Sequence, residues 1–209
     1  MSKTIAPDAH INQHVTGYVV NASFDVDTQQ AIAKIQDEIA HELGSAVWIP
    51  PLRSLHVTLL DWIAPLVEYN RNKDQLYAEL YHSYDAVLHK ILDKQHSINT
   101  VFKEIRVSQS AIYIVSTSNA ELNHIRQQFL KNITLIDDTK QPPQIVHSTI
   151  ARFTETIELD KVQEVLETLH VDIAQEITSF QLVKETVSPM IDYEMIKKYR
   201  LMSKPSHQH

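Results

Sequence analysis

Two short motifs of the same pattern carry the side chains best suited to chemistry in this sequence. They are His56-Val57-Thr58 and His147-Ser148-Thr149, and each lies in an apolar run, SLHVTLLDW and IVHSTIARF. Residues i and i+2 of a β-strand lie on one face, so each histidine shares a face with its threonine. Two imidazoles can divide general acid and general base work, and threonine hydroxyls can donate hydrogen bonds to phosphate oxygens. The motifs therefore predict a pocket that hydrolyses a phosphodiester without a metal.

A third copy of the pattern, His14-Val15-Thr16, is attributed to chance, because short motifs recur at random. It lies in a polar segment and has no counterpart in the second half of the chain. The other two occupy matching positions. Tyr18 precedes His56 by 38 residues, and Ile112 precedes His147 by 35. The alternative, histidines satisfied by hydrogen bonds inside a core, explains either motif alone but not this matched placement.

The elements that must position the motifs occur twice in the same order: strand, helix, proline-containing turn, motif strand, helix, strand. The two repeat units span about 15–107 and 110–202. The predicted strands are 15–25, 52–62, 100–107, 111–117, 144–153, 178–187 and 193–202. The predicted helices begin at a cap on Asp27 or Thr28, at 74, after Asn119 and at 160, and end near 43, 92, 131 and 170. We expect one domain of two similar lobes, with tails 1–13 and 203–209 disordered.

The alternation of strands and helices supports an α+β or α/β fold with two sheets. The composition excludes several classes of protein. Nineteen Lys and Arg against 26 Asp and Glu give a net charge of -7, which argues against a protein that coats duplex nucleic acid. The absence of cysteine excludes thiol nucleophiles, disulfides and cysteine-based metal sites. Only Gly17 and Gly44 are glycines, too few for a phosphate-binding glycine loop.

Other features argue against a metal, a cofactor or a membrane. The His10/His14 and His82/His89 pairs lie in polar segments without matching carboxylates. His41-Glu42 lacks the second histidine of a zinc protease motif. No signal-peptide pattern is present, and prolines and charges interrupt the most apolar window, 46–67. We expect a cytoplasmic protein without a cofactor, monomeric and not bound to a membrane.

The motif segments SLHVTLLDW and IVHSTIARF and the closing segment FQLVKETVSPMIDYEMIKKYRL resemble those of the 2H phosphoesterase superfamily. This superfamily includes the 2′-5′ RNA ligase-like and cyclic nucleotide phosphodiesterase proteins. The resemblance spans most of the chain. It implies an α+β fold that is bilobal and duplicated about a pseudo-twofold axis. Two antiparallel sheets would then flank a central cleft, with helices packed outside.

The resemblance also implies roles for the motif residues. His56 and His147 match the catalytic histidines of the family, and Thr58 and Thr149 match its phosphate-binding hydroxyls. Arg152 stands five residues after His147, where a basic residue helps to hold the substrate phosphate in the RNA ligase-like branch.

The positions of Arg152 and Asp61 depart from a symmetric arrangement of the two motifs. Strand alternation places Arg152 on the face opposite to His147 unless a bulge or the strand end intervenes. Asp61 occupies the equivalent place in the first motif, which departs from a symmetric basic clamp.

Tyr193 matches a late family tyrosine that stacks on a base or lines the pocket; the alternative for Tyr193 is a core aromatic.

These observations predict a metal-independent phosphoric diester hydrolase. Its substrate would be a 2′,3′-cyclic phosphate or a 2′-5′ linkage of a nucleotide or RNA end, with ligation as the reverse reaction. The alternative is a non-catalytic module that holds a nucleotide or RNA end in the same pocket. Removing either histidine abolishes turnover under the first hypothesis and only weakens binding under the second. The sequence leaves open which histidine is the acid and which is the base.

Overall fold

A computed structural model describes residues 3–136 and 139–204, and these residues form four helices and eleven strands. The helices are α1 (Val26–Leu43), α2 (Lys73–Leu92), α3 (Ala120–Asn132) and α4 (Leu159–Thr168). The strands are β1 (Thr4–Ile5), β2 (Gln13–Ser23), β3 (Val47–Trp48), β4 (His56–Ile63), β5 (Ile98–Val107), β6 (Ala111–Ser116), β7 (His147–Phe153), β8 (Ile157–Glu158), β9 (Ile173–Ile177), β10 (Ser179–Ser188) and β11 (Asp192–Arg200).

Two antiparallel sheets carry the motifs. The four-stranded sheet has the order β11-β10-β2-β4, and the five-stranded sheet has the order β3-β7-β6-β5-β9. Each motif begins its strand, with His56 at the start of β4 and His147 at the start of β7. The two strands pack against each other across the sheets. The predicted α+β architecture of two antiparallel sheets around a cleft is confirmed.

The repeat units exchange strands between the sheets. The last strand of the first unit, β5, pairs with β6 in the five-stranded sheet. The closing strands of the second unit, β10 and β11, join β2 in the four-stranded sheet. The repeats at 15–107 and 110–202 are therefore sequence units, and neither sheet is built from one unit alone. Each repeat unit thus contributes strands to both sheets.

The helices cover the outer faces of the sheets. Asp25 caps α1 by accepting a hydrogen bond from the Thr28 amide at 2.7 Å, two or three residues before the predicted cap. Ile32 and Ile39 of α1 are fully buried, and the helix packs on the five-stranded sheet. Helix α2 packs on the four-stranded sheet and on α3. No helix in the described part of the chain combines the length and apolar character needed to cross a bilayer.

The N-terminal segment differs from the prediction. Residues 3–13 were expected to be disordered, but Thr4 and Ile5 form β1, which pairs with β8. Ile5 is buried in the core, and Asp8 forms an ion pair with Arg152. An apolar contact and a buried carboxylate thus hold a segment that the sequence shows only as polar. Residues 1–2 and 205–209 of the predicted tails lie outside the described residues.

Gly17 permits a close contact between β2 and the segment that follows β4. A Cβ atom at Gly17 would lie 2.6 Å from the Pro65 Cβ and 2.8 Å from its Cα. Real Cβ atoms do not approach other carbon atoms so closely, so only glycine lets Pro65 rest on the strand. Pro65 and the adjacent Leu66 form part of the wall of the pocket described below.

We expect Gly17→Ala to lower the free energy of unfolding by about 1–3 kcal/mol, because the added methyl forces Pro65 away from β2. Urea unfolding measures the change. Ser23→Ala, at an exposed position of the same strand, is the control. Equal stability of the two variants would contradict this account of the contact.

Candidate active site

One pocket of about 270 Å³ lies between the two motif strands. His56, Thr58, His147 and Thr149 all line it. The strand pairing explains their common direction, because residues i and i+2 share a face on both β4 and β7. The structure therefore brings the four predicted motif residues together in a space that suits a phosphate group.

Matching bulges bring two charged residues onto the pocket face. In β4, Thr58 pairs with Asn21 while Leu60 pairs with Val20, so Leu59 is the extra residue. In β7 the pairing skips Ile150 in the same way.

Each bulge changes the face of the sheet on which the later side chains of its strand lie, because one extra residue reverses the alternation from that point onward. Arg152 consequently joins His147 and Thr149 on the pocket wall, and Asp61 joins His56 in the other half. Arg152 and Asp61 occupy equivalent positions with opposite charges. Simple strand alternation therefore placed Arg152 on the wrong face.

The turn between β10 and β11 holds the His56 ring in place. His56 Nδ1 donates a hydrogen bond to the Ser54 carbonyl at 2.7 Å. The Ser54 hydroxyl in turn donates to the Met190 carbonyl at 2.8 Å. With its proton on Nδ1, neutral His56 presents the lone pair of Nε2 to the pocket. This is the orientation that proton transfer to or from a substrate requires.

His147 occupies the corresponding position of the second motif. Its Nδ1 faces the Ile145 carbonyl, two residues earlier, in a looser contact than that of His56. The Tyr113 ring lies edge-on to the imidazole, with 5.4 Å between ring centroids. The segment before His147 is held by Asn119, whose side chain accepts a hydrogen bond from the Val146 amide at 3.1 Å. The second imidazole is therefore positioned mainly by its strand and by packing.

Arg126 of α3 joins the two motif strands from behind the pocket. Its side chain is buried and donates to the Thr58 carbonyl at 2.6 Å and to the Leu59 carbonyl at 3.1 Å, at the bulge of β4. It also donates to the Pro143 carbonyl at 2.8 Å, in the segment that leads into β7. Burial lowers the pKa of Arg126 to about 10, which still leaves the guanidinium charged at neutral pH. One residue thus sets the relative position of the two motifs.

The electrostatic surroundings of the two histidines differ. Burial lowers the pKa of both His56 and His147 below the ordinary value of imidazole. The Asp61 carboxylate opposes this effect and raises the pKa of His56. The cations Arg126 and Lys140 act in the other direction and lower the pKa of His147 further. The charged groups nearest the two rings therefore differ in sign, with a carboxylate beside His56 and cations around His147.

The two cations of the pocket wall both have carboxylate partners. Lys140 Nζ lies 3.1 Å from Asp61 Oδ2, and the Asp61 side chain is 8% exposed. Arg152 forms its ion pair with Asp8, which comes from the N-terminal segment. The basic residue that the resemblance implied is therefore at the site, but its charge is already compensated.

Glu185 of β10 adds a second carboxyl group to the pocket wall, beside Asp61. It is buried and accepts a hydrogen bond from the Met190 amide at 2.8 Å. Burial raises the pKa of Glu185 above the ordinary value of a carboxyl group, and Asp61 acts in the same direction. Nothing in the sequence indicated this residue, because a glutamate in a strand is typical of a solvent-facing position.

Tyr193 does not belong to the pocket wall as far as the described residues show. Its ring packs on the small cluster of Val19, Val183 and Met190, and its hydroxyl donates to the Arg53 carbonyl at 3.2 Å. The ring therefore packs beside Met190, and its contact with a base stays a prediction. Within the described ranges, no group of three or more His, Asp or Glu side chains is placed to hold a metal ion.

Proteins with a similar fold but a different sequence are known. The sequence matches no known family model and no curated protein. The structure is similar to TT0787 of Thermus thermophilus, with a TM-score of 0.63 and 13% identity over 90% of this chain and 100% of that one. It is also similar to E. coli LigT complexed with phosphate, with a TM-score of 0.61 and 12% identity over 91% and 99% of the two chains.

A third similar structure is described as a phosphoesterase, with a TM-score of 0.62 and 14% identity over 90% of this chain and 99% of that one. E. coli LigT has also been solved with ATP, NADP+ and 3'-AMP. At these identities the similarity establishes a shared fold along nearly the whole chain. The fold that the motif resemblance implied is therefore confirmed.

We expect Arg126→Met to lower the free energy of unfolding by about 3 kcal/mol or more, because it leaves several buried carbonyls without a donor. Arg106→Met removes an exposed arginine that pairs with the exposed Glu104, and we expect it to change stability by less than about 1 kcal/mol. Thermal and urea unfolding of both variants measure the difference. Similar losses for the two would show that Arg126 does not join the motif strands.

Proposed function

We propose that this protein is a 2H phosphoesterase that hydrolyses a phosphodiester without a metal ion. The observation that carries the proposal is the convergence of both His-x-Thr pairs on one pocket of phosphate size. The shared fold with LigT and with a phosphoesterase supports it. The cytoplasmic location and monomeric state expected from the sequence stay predictions.

The reaction requires one neutral and one protonated histidine. The neutral ring takes a proton from water as the water oxygen attacks phosphorus, and the protonated ring gives its proton to the leaving oxygen as the P–O bond breaks. The hydroxyls of Thr58 and Thr149 donate hydrogen bonds to the non-bridging oxygens, where negative charge grows in the transition state. The proton count balances, and the pair exchanges roles when the reaction runs toward ligation.

The surroundings of the rings support an assignment of roles that the sequence left open. His56 lies near the Asp61 carboxylate, which favours its protonated form more than Arg152 opposes it. His147 lies among cations that favour its neutral form. We therefore assign His56 as the general acid and His147 as the general base for hydrolysis.

The proposed substrate is a nucleotide or RNA end that carries a 2′,3′-cyclic phosphate or a 2′-5′ linkage. The ligands found in LigT, phosphate and the nucleotides ATP, NADP+ and 3'-AMP, support a nucleotide. The net charge of -7 fits a small ligand or a strand end better than a duplex. A non-catalytic module with the same pocket is the alternative that the following experiment distinguishes.

We expect His56→Ala and His147→Ala each to reduce hydrolysis by about 100-fold or more, because each removes one half of the acid and base pair. The assay uses 2′,3′-cyclic mononucleotides, 2′-5′ linked dinucleotides and RNA with a cyclic phosphate end, all in excess EDTA. His41→Ala, at an exposed position on α1, is the control and retains full activity. Binding of these ligands without turnover by the unaltered protein would favour the binding module.

The pH dependence of kcat/KM follows from the lowered pKa values of the two histidines. Burial lowers both pKa values, so the state with a single shared proton is most populated below pH 6.5. We expect a bell-shaped profile of kcat/KM with its maximum on the acid side of pH 6.5. The profile of kcat lies at higher pH, because a bound phosphate anion stabilises the protonated ring. Initial rates between about pH 4.5 and 9 test this, and a flat profile or a maximum above neutrality would contradict it.

A further inference from the structure

We propose that the pocket selects phosphate groups by charge, accepting a singly charged phosphodiester and rejecting the doubly charged monoester that hydrolysis produces. This inference rests on the proposed function and deepens it, because it defines the charge of the substrate and explains how the product leaves. It follows from the pairing of charges on the pocket wall.

The first step is that the pocket offers no unpaired cation for a phosphate among the residues that the structure describes. Lys140 is paired with Asp61, and Arg152 is paired with Asp8. Both carboxylates are almost completely buried, with side chains 8% and 3% exposed. Arg152 is 20% exposed, so water screens its pair only weakly, whereas Lys140 is 56% exposed and its pair is screened more. Arg126, behind the wall, donates to backbone carbonyls and faces away from the ligand space.

The second step is that Glu185 makes the balance of charge around the pocket less favourable to a bound anion. Its buried carboxyl lies on the same wall as Asp61 and has no lysine or arginine ion pair in the described ranges. Lys73 of α2 affects it only at a distance, because the Lys73 ammonium donates to the carbonyls of Ala64 and Pro65. Glu185 and Asp61 on the wall, together with Asp8 behind Arg152, make three carboxyl groups against the two cations Lys140 and Arg152.

The third step concerns the source of the positive charge that a phosphate needs. His56 and His147 are the remaining groups that can become cations in the pocket. Burial keeps both rings neutral at and above neutral pH in the free protein. An entering phosphate must therefore bring about the uptake of a proton by this pair.

The need for protons differs between the substrate and the product of hydrolysis. A diester carries one negative charge, and a single proton on the histidine pair balances it. A monoester carries a second charge above about pH 6, and that charge needs a second proton or stays unbalanced beside Asp61 and Glu185. Hydrolysis thus converts a matched ligand into a mismatched one, which favours product release.

The experiment measures the dissociation constants of dimethyl phosphate and methyl phosphate by calorimetry between about pH 7 and 9. The slope of log Kd against pH gives the number of protons taken up on binding. We expect a slope of about one for dimethyl phosphate and about two for methyl phosphate. Equal slopes for the two probes, or a slope near zero for the diester, would overturn the proposal.

Two variants test the residues that set the charge. Asp61→Asn leaves Lys140 free to bind a phosphate oxygen, and we expect it to lower the slope for methyl phosphate by about one and to tighten its binding at pH 8 about tenfold. Glu185→Gln removes the third carboxyl group and lowers the same slope. Asp172→Asn, which removes an exposed carboxylate paired with Lys103, is the matched control and changes neither value.

The outcomes separate this proposal from the proposed function. If Asp61→Asn and Glu185→Gln bind both probes as Asp172→Asn does, selection by charge is wrong. The phosphoesterase function still stands in that case, provided that His56→Ala abolishes turnover. If neither probe binds the unaltered protein and no cyclic phosphate is hydrolysed, both proposals fail together.

Discussion

The buried side chain of Arg126 is the interaction on which the proposed site depends. The two motifs lie in different sheets, and each sheet alone presents only one of the two motif histidines. Arg126 donates to carbonyls at the bulge of β4 and to the segment before β7, so one rigid guanidinium spans both. The strand exchange between the sequence repeats adds to this connection. A catalytic pair that needs accurate spacing is thereby built from segments about 90 residues apart.

The repeated order of elements accounts for the paired motifs. A difference in charge at one equivalent position makes the surroundings of the two histidines unequal. Equivalent bulges place Asp61 and Arg152 at the same position in the two halves, with opposite signs. The carboxylate favours a proton on His56, and the surrounding cations favour a neutral His147. Two residues of one type, in nearly symmetric surroundings, can therefore take different roles.

The sequence was sufficient to predict the local elements and the motif pocket, but not the contacts between distant segments. Apolar runs indicated β4 and β7, and cap residues together with helical periodicity indicated the four helices. The side of Arg152 was missed, although each motif contains two consecutive apolar residues, such as Leu59-Leu60, that break the alternation and signal a bulge. Asp8 and Glu185 gave no signal, because only the folded chain shows that these polar residues become buried beside the pocket.

The central claim is that both histidines and both threonines hold one phosphate group. A crystal structure grown in phosphate near pH 5.5, where protonation of the pair is more favourable than at neutral pH, tests it most directly. The account predicts a phosphate between the Nε2 atoms of His56 and His147, with the hydroxyls of Thr58 and Thr149 within hydrogen-bond distance of its oxygens. A phosphate bound elsewhere on the protein, with neither imidazole in contact with it, would contradict the account.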